Sequence, residues 1–177
     1  EGRRVINNIT ASASMYLIKT IFSVVLSIGM ILFGHGYPFK PIQLTVISAC
    51  CVGIPTFFLT YEPNFKRVSG DFLKTVFKNA FPFAFMIAIC STIIVNGGRV
   101  LGLEKEMLST ICVLLTSWCY YNGLRHIYSP LSHYRIFVIY IMQIVLYISL
   151  IVGHQFLGLG NIDYIGAITL MFLVTFS

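Results

Sequence analysis

Charge is the scarcest property of this sequence. Only 10% of the 177 residues are charged, against about a quarter in ordinary soluble domains, and Asp and Glu together number six. The shortage excludes a soluble globular domain and a disordered chain, because both need polar surface that a chain with 57% apolar residues lacks. A mean hydropathy of +0.85 instead indicates a protein whose outer surface faces lipid.

Patterns for metal binding and for disulfide bonds are also missing. The five cysteines, Cys50, Cys51, Cys90, Cys112 and Cys119, lie in apolar stretches, with no Cys-x-x-Cys pair and no Cys/His cluster at ligand spacing. We interpret them as small, buried, apolar residues. The adjacent Cys50 and Cys51 leave one weak alternative, a site for a softer metal ion, and the sequence leaves the identity of any metal unknown.

Six apolar stretches approach or reach the length of about 17 to 25 residues that a transmembrane helix needs. Turns rich in Gly and Pro separate several of them, and no strand-like alternation competes. The sequence therefore predicts an all-α fold, a polytopic bundle of six transmembrane helices in residues 9–177, preceded by a cytoplasmic stalk at residues 1–8. The predicted spans are 9–33, 41–60, 80–96, 107–123, 135–153 and 161–177.

The distribution of Lys and Arg predicts the orientation of this bundle. Eight lie on the side of the N-terminus, three lie on the other side, and Lys19 falls inside the first span. The eight are Arg3, Arg4, Lys66, Arg67, Lys74, Lys78, Arg125 and Arg135, and the three are Lys40, Arg99 and Lys105. The positive-inside rule then places both termini in the cytoplasm of a multi-pass protein of the cell membrane. Topology and lipid contact explain the net charge of +6, so we expect no nucleic acid partner.

Two further features concern the membrane interface. The polar connection 61–79 has apolar residues at near-helical spacing, with three lysines and one arginine between them. This pattern predicts either an amphipathic interfacial helix or an ordinary basic loop. Near the end of the fourth span, Trp118, Tyr120 and Tyr121 have the composition of an interfacial aromatic belt.

Polar residues inside the first span mark a candidate site. They recur at helical spacing and share one face: Ser12, Tyr16, Lys19, Thr20, Ser23 and Ser27. Lys19 lies about ten residues into the span, a depth at which an ammonium group needs a polar cavity or a partner. Two alternatives stay open, in which Lys19 extends toward the cytoplasmic interface or forms a purely structural pair.

The second span has a break near its middle. Pro55 lacks an N–H group, so the carbonyl of Cys51, four residues earlier, is predicted to lose its helical partner. Transporters use carbonyls exposed in this way to bind cations, although a simple kink for packing is the alternative. The candidate transport-site residues from both spans are Lys19, Thr20, Ser23, Ser48, Cys51 and Pro55.

Three motifs follow one another along the chain: EGRRVINN at residues 1–8, Pro41-Ile42-Gln43-Leu44 with Gly53-Ile54-Pro55, and Glu62-Pro63-Asn64. In this order they resemble motifs of bacterial P-type (E1–E2) cation-transporting ATPases. The first eight residues, EGRRVINN, are similar to the EGRxxxxN stretch that leads into the fifth membrane helix of that family. Pro41-Ile42-Gln43-Leu44 with Gly53-Ile54-Pro55 resembles the PxQL…GxP pattern of the sixth helix, and Glu62-Pro63-Asn64 resembles its exit. The resemblance covers the whole chain and implies that the six spans are helices five to ten, in the C-terminal membrane region.

This resemblance implies a fragment of an ATP-driven pump that carries a cation across the membrane. The family's phosphorylated Asp-Lys-Thr-Gly motif, its nucleotide domain and its Thr-Gly-Asp-Gly metal site precede this region, so we expect no catalytic residue and no cofactor within the chain. ATP and Mg²⁺ belong to the parent protein. The implied partners are the lipid bilayer, the transported cation, and the N-terminal catalytic domains and first four helices of the same polypeptide.

The family's cation positions would fall on Thr20, Ser23, Ser48, Cys51 and Val52, where the chain departs from the family pattern. Ser23 and Val52 replace carboxylates, and no Asp or Glu lies at the centre of any predicted span. Hard divalent cations prefer carboxylate oxygens, and the ammonium group of Lys19 would repel such a cation. Lys19 is therefore a candidate internal counter-cation, and a lipid or an organic cation is an alternative cargo. A self-standing six-helix channel or structural membrane protein is the alternative from a different class.

Overall fold

The computed structural model describes residues 2–62 and 71–159. Its helices are α1 (Gly2–Leu32), α2 (Pro41–Ile47), α3 (Ile54–Leu59), α4 (Phe72–Val100), α5 (Lys105–Ile127), α6 (His133–Val152) and the short α7 (His154–Leu157). A π-helical turn, Ser48–Gly53, joins α2 to α3 and is called the π segment below. The described residues contain no strand, which confirms the all-α fold class.

Four helical stretches are long and apolar enough to cross a membrane. They are Val5–Leu32, Pro41–Leu59, Phe72–Val100 and His133–Val152, which correspond to the first, second, third and fifth predicted spans. The fold is therefore a helical membrane bundle. The predicted sixth span, 161–177, and residues 63–70 of the polar connection lie outside the described residues. The number of spans, the division at residue 8 and the orientation stay predictions.

Helix α4 begins earlier than the span predicted from residue 80. It starts at Phe72, so residues 72–79 of the proposed interfacial stretch are continuous with the membrane helix. Pro82 lies inside this helix without ending it. The carbonyl that the proline leaves without a helical partner belongs to Lys78, which is exposed, so that carbonyl is open to solvation from outside the bundle.

Helix α5, which covers the predicted fourth span, is the central helix of the described bundle. It contacts α1, α2, α4, α6 and the π segment, and most of its residues are buried. Buried residues include the polar Ser109, Thr116 and Ser117, because a helix enclosed by protein needs less apolar surface than one facing lipid. Tyr120 and Tyr121 are each 1% exposed, so the interfacial belt predicted for them is wrong.

Successive long segments run in opposite directions, which defines two ends of the bundle. The N-terminal end holds the starts of α1, α4 and α6 and the ends of α3 and α5. The far end holds the connection between α1 and α2, the connection between α4 and α5, and α7. Helix α1 packs along α4 and contacts the π segment, so the first two predicted spans are neighbours.

Candidate functional site

The π segment confirms that the second span is irregular near its middle. The N–H of Ile54 donates to the carbonyl of Ala49, five residues earlier, as in a π-helix. Pro55 comes next and has no N–H, so in this register the carbonyl five residues before it, that of Cys50, loses its backbone partner. The buried Tyr121 hydroxyl of α5 donates to this carbonyl oxygen at 3.3 Å.

This register changes which carbonyl the proline releases. The sequence argument counted four residues back, as in an α-helix, and therefore named Cys51. A π turn inserts one extra residue into the hydrogen-bonded ring, which moves the effect to Cys50. Cys51 itself is fully buried beside the released carbonyl. Sequence reasoning missed Tyr121, because its contact with this carbonyl depends on which helix packs against the proline.

Hydroxyl groups in the second span donate to the backbone of the same span. The Ser48 hydroxyl donates to the Leu44 carbonyl at 2.5 Å. The Thr56 hydroxyl contacts two carbonyls of the π segment, those of Val52 at 2.7 Å and Gly53 at 3.0 Å. Each hydroxyl oxygen keeps lone pairs for an additional donor or a cation.

The six polar residues predicted to share one face of α1, from Ser12 to Ser27, are called the polar stripe below. This stripe lies at the edge of the described bundle rather than in its core. Tyr16 and Thr20 are exposed, and Lys19 and Ser23 are half-buried. The Tyr37 hydroxyl donates to the Ser23 hydroxyl at 3.5 Å. Within residues 2–62 and 71–159, Lys19 forms neither a hydrogen bond nor an ion pair, so nothing there neutralises its ammonium group.

The polar stripe of α1 and the π segment lie side by side, at a similar level along the length of the bundle. A Cβ atom on Gly53 would stand 3.9 Å from the Tyr16 hydroxyl, so the two helices meet at this point. Because they run antiparallel, Thr20, about 6 Å further along α1, lies near the level of Ser48. The structure therefore brings the two sets of predicted residues to one region, although no described hydrogen bond joins Lys19, Thr20 or Ser23 to Ser48, Cys51 or Pro55.

Gln43, which the sequence places in a family-like motif, has a structural role. Its side chain is fully buried, and its Oε1 accepts hydrogen bonds from the Lys40 N–H and the Ser109 hydroxyl, each at 2.9 Å. Its Nε2 donates to the Leu157 carbonyl at 2.9 Å. One amide thus ties the start of α2 to α5 and α7.

The chemistry available at the candidate site is that of hydroxyls, carbonyls and one ammonium group. The described residues contain no group of three His, Cys, Asp or Glu side chains that could hold a metal ion. The carboxylates in the described part of the chain, Glu62, Asp71, Glu104 and Glu106, lie at or near helix ends. Neutral hydroxyl and carbonyl oxygens hold a divalent cation less tightly than carboxylates do.

Comparison with curated proteins finds ATPases that transport cations. The chain is 33% identical over 147 residues to the probable cation-transporting ATPase exp7 of Streptococcus pneumoniae, an alignment that covers 78% of the chain and 19% of that protein. It is 31% identical over 132 residues to the calcium-transporting ATPase CtpE of Mycobacterium tuberculosis, covering 66% of the chain and 16% of that protein. For CtpE of Mycolicibacterium smegmatis the identity is 30% over 128 residues, or 64% of the chain and 16% of that protein.

The chain spans less than a fifth of the length of these relatives. No family model matches it, and no solved structure matches it. The similarities agree with the bundle of apolar helices and with the motifs in the sequence. The chain is therefore a membrane region of the P-type ATPase family, within a multi-pass protein of the plasma membrane.

Proposed function

We propose that this chain forms part of the transport pathway of an ATP-driven cation pump, with its transport site between the first two spans. The observation that carries the proposal is the π segment followed by Pro55, set beside the polar stripe of α1. A released carbonyl at this depth is tolerated against protein or a polar cavity, and transporters use such carbonyls as cation ligands.

The predicted site residues have distinct roles in this proposal. The hydroxyls of Thr20, Ser23 and Ser48 supply neutral oxygen ligands, and Pro55 keeps the backbone at Cys50 and Cys51 from closing into a regular helix. Tyr121 holds the Cys50 carbonyl while no cation is bound. Lys19 contributes a positive charge that repels the cation or replaces it during the transport cycle.

The rest of the pump lies in other parts of the polypeptide under this proposal. The Tyr16 and Thr20 side of α1 is exposed in the described bundle, which leaves a polar face for the first four helices. ATP and Mg²⁺ act in the catalytic domains of the parent protein. Two of the relatives named above are calcium-transporting, and a divalent cargo here requires carboxylates from outside the described spans.

The proposal is tested by replacing Lys19 in the full-length protein. Lys19→Met removes the only Lys or Arg in the interior of the first span, and we expect it to shift or abolish the cation dependence of ATP hydrolysis and of dephosphorylation. Membrane insertion should be retained, since the change removes a charge that costs about 3 kcal/mol at the centre of a membrane helix. Lys19→Arg keeps the charge and should retain part of the cation dependence.

Lys78→Met is the matched control, because Lys78 is exposed in α4 and belongs to no candidate site. It should leave the cation dependence unchanged. If Lys19→Met behaves like this control, Lys19 is outside the transport site and only the hydroxyl and carbonyl groups remain as ligands. Cation flux that proceeds without ATP hydrolysis would contradict the pump and favour the self-standing channel.

A further inference from the structure

A cavity at the far end of the bundle gathers the positive charge of that end. Its volume is about 380 Å³, within the range of small-ligand sites. The polar side chains that line it are Tyr37, Lys40, Arg99, Lys105, Glu106 and Ser109. The lining thus includes every Lys and Arg that the sequence assigned to this side. It contains none of the proposed transport-site residues, although the hydroxyl of Tyr37 in its wall donates to Ser23.

The lining carries a net positive charge. Three cations face one carboxylate, that of Glu106, whose Oε1 lies 3.7 Å from the Lys40 Nζ. Lys40 Nζ also donates to the Gly158 carbonyl at 3.3 Å. Glu104, near Lys105 in the sequence, does not line the cavity. Lys105 has no ion pair or hydrogen bond within the described ranges, so its charge is available to a ligand.

Arg99 is held in place at the cavity wall by a neutral imidazole. Its Nη1 lies 2.9 Å from His35 Nδ1, and because a guanidinium group only donates, this nitrogen of His35 must accept. His35 Nε2 then carries the hydrogen and donates to Asn96 Oδ1 at 2.9 Å. The remaining N–H groups of Arg99 have the planar fork that matches two oxygens of one phosphate.

The other walls of the cavity are apolar. Phe39, Val95 and Leu108 line it and are each nearly fully buried. The cavity also lies at the ends of membrane-length helices, the level at which lipid headgroups meet water. A ligand with an anionic phosphate and an apolar portion matches this combination of walls and depth.

We propose that this cavity is a binding site for a phosphate anion, bound by Arg99 and Lys105 with Lys40 as an additional cation. The phosphate belongs either to a phospholipid headgroup or to a free phosphate ion. In both cases Glu106 competes with the ligand for Lys40.

The test uses the full-length protein in detergent and counts retained ligands by native mass spectrometry. The probes are dioleoyl phosphatidylglycerol, dioleoyl phosphatidylcholine as the zwitterionic reference, and inorganic phosphate as competitor. Lys105→Gln should lower the affinity for phosphatidylglycerol about fivefold, and the double variant with Arg99→Gln about twenty- to thirtyfold. Glu106→Gln should raise the affinity, because it releases Lys40.

Lys74→Gln, an exposed lysine of α4 at the opposite end, is the control and should leave this binding step unchanged. If the double variant loses phosphatidylglycerol binding and inorganic phosphate does not compete with the lipid, the bound phosphate belongs to a phospholipid. Competition by phosphate at the same site identifies the free ion. The proposal is overturned if Lys105→Gln, the double variant and the control all retain phosphatidylglycerol and phosphate like the unaltered protein, and Lys105→Gln decides this even if the double variant misfolds.

Discussion

At the N-terminal end of the bundle an ion pair is largely buried and closed by additional hydrogen bonds, whereas at the far end the charges line an open cavity. Arg135 is 3% exposed, and its Nε lies 3.1 Å from Glu62 Oε2. Its Nη1 donates to the carbonyls of Tyr128 at 2.8 Å and Pro130 at 3.0 Å. The Ser132 hydroxyl donates to the same Glu62 oxygen at 2.5 Å.

This group of contacts, which we call the Arg135 clasp, joins segments that are distant in sequence. Glu62 follows α3, Tyr128 follows α5, and Arg135 lies in the first turn of α6. Helix α1 is tied to the same end, because Ser12 shares a 3.4 Å hydrogen bond with the Tyr128 hydroxyl. Burial raises the pKa of that hydroxyl, which therefore stays protonated and able to donate, although the Ser12 bond and the Arg135 charge reduce the shift.

The far end also pairs a basic residue with a glutamate, but in a different environment. Lys40 and Glu106 stand 3.7 Å apart, and about half of each side chain is exposed. Water and salt screen such a pair, which contributes about 0 to 1 kcal/mol, whereas removing one partner of a buried pair costs about 3–5 kcal/mol. We therefore expect the buried pair to contribute more to the stability of the bundle than the exposed pair.

The largest expected effect is at the clasp. Arg135→Met should destabilise the full-length protein by about 3 kcal/mol, because it leaves Glu62 and two carbonyls without their partner. Arg135→Lys should recover only part of this loss, since an ammonium group cannot form the same fork of hydrogen bonds. Thermal unfolding in detergent measures the effect. A loss below about 1 kcal/mol for Arg135→Met would show that the clasp resembles an exposed ion pair.

An intermediate loss of stability is expected at Gln43. This residue is fully buried although it lies toward the far end, so it tests whether burial or location in the bundle determines the loss. Gln43→Leu should cost about 2 kcal/mol, since it leaves the Ser109 hydroxyl and the Leu157 carbonyl unpaired. Gln155→Leu, at an exposed position of α7, is the matched control and should change stability by less than about 0.5 kcal/mol. Equal losses in the same unfolding assay would contradict the role of burial.

The smallest effect is expected for the exposed pair. A double-mutant cycle with Lys40→Gln and Glu106→Gln should give a coupling energy below about 1 kcal/mol. Repeating the unfolding measurements at high salt should reduce that value further, because screening acts on exposed charges. A coupling energy as large as the loss at Arg135 would remove the distinction between the two ends.

The sequence was sufficient for much of the fold. Apolar length predicted membrane helices where the structure has α1, the segment Pro41–Leu59, α4 and α6, because a lipid environment leaves few alternatives to a helix. Polar spacing placed Tyr16, Lys19 and Thr20 on one side of α1. Tyr120 and Tyr121 show the limit, since composition cannot tell an aromatic residue at the interface from one buried among helices.

Pro55 shows what the sequence and the tertiary structure each determined about the candidate site. The sequence determined that one backbone donor is missing in the middle of the second span, because proline has no N–H in any context. Only the tertiary structure decided that the turn is a π-helix, that Cys50 has the released carbonyl, and that Tyr121 from α5 contacts it. The partners of Arg135 and Gln43 likewise lie as far as 73 and 114 residues away, and such contacts depend on how helices pack rather than on any local pattern.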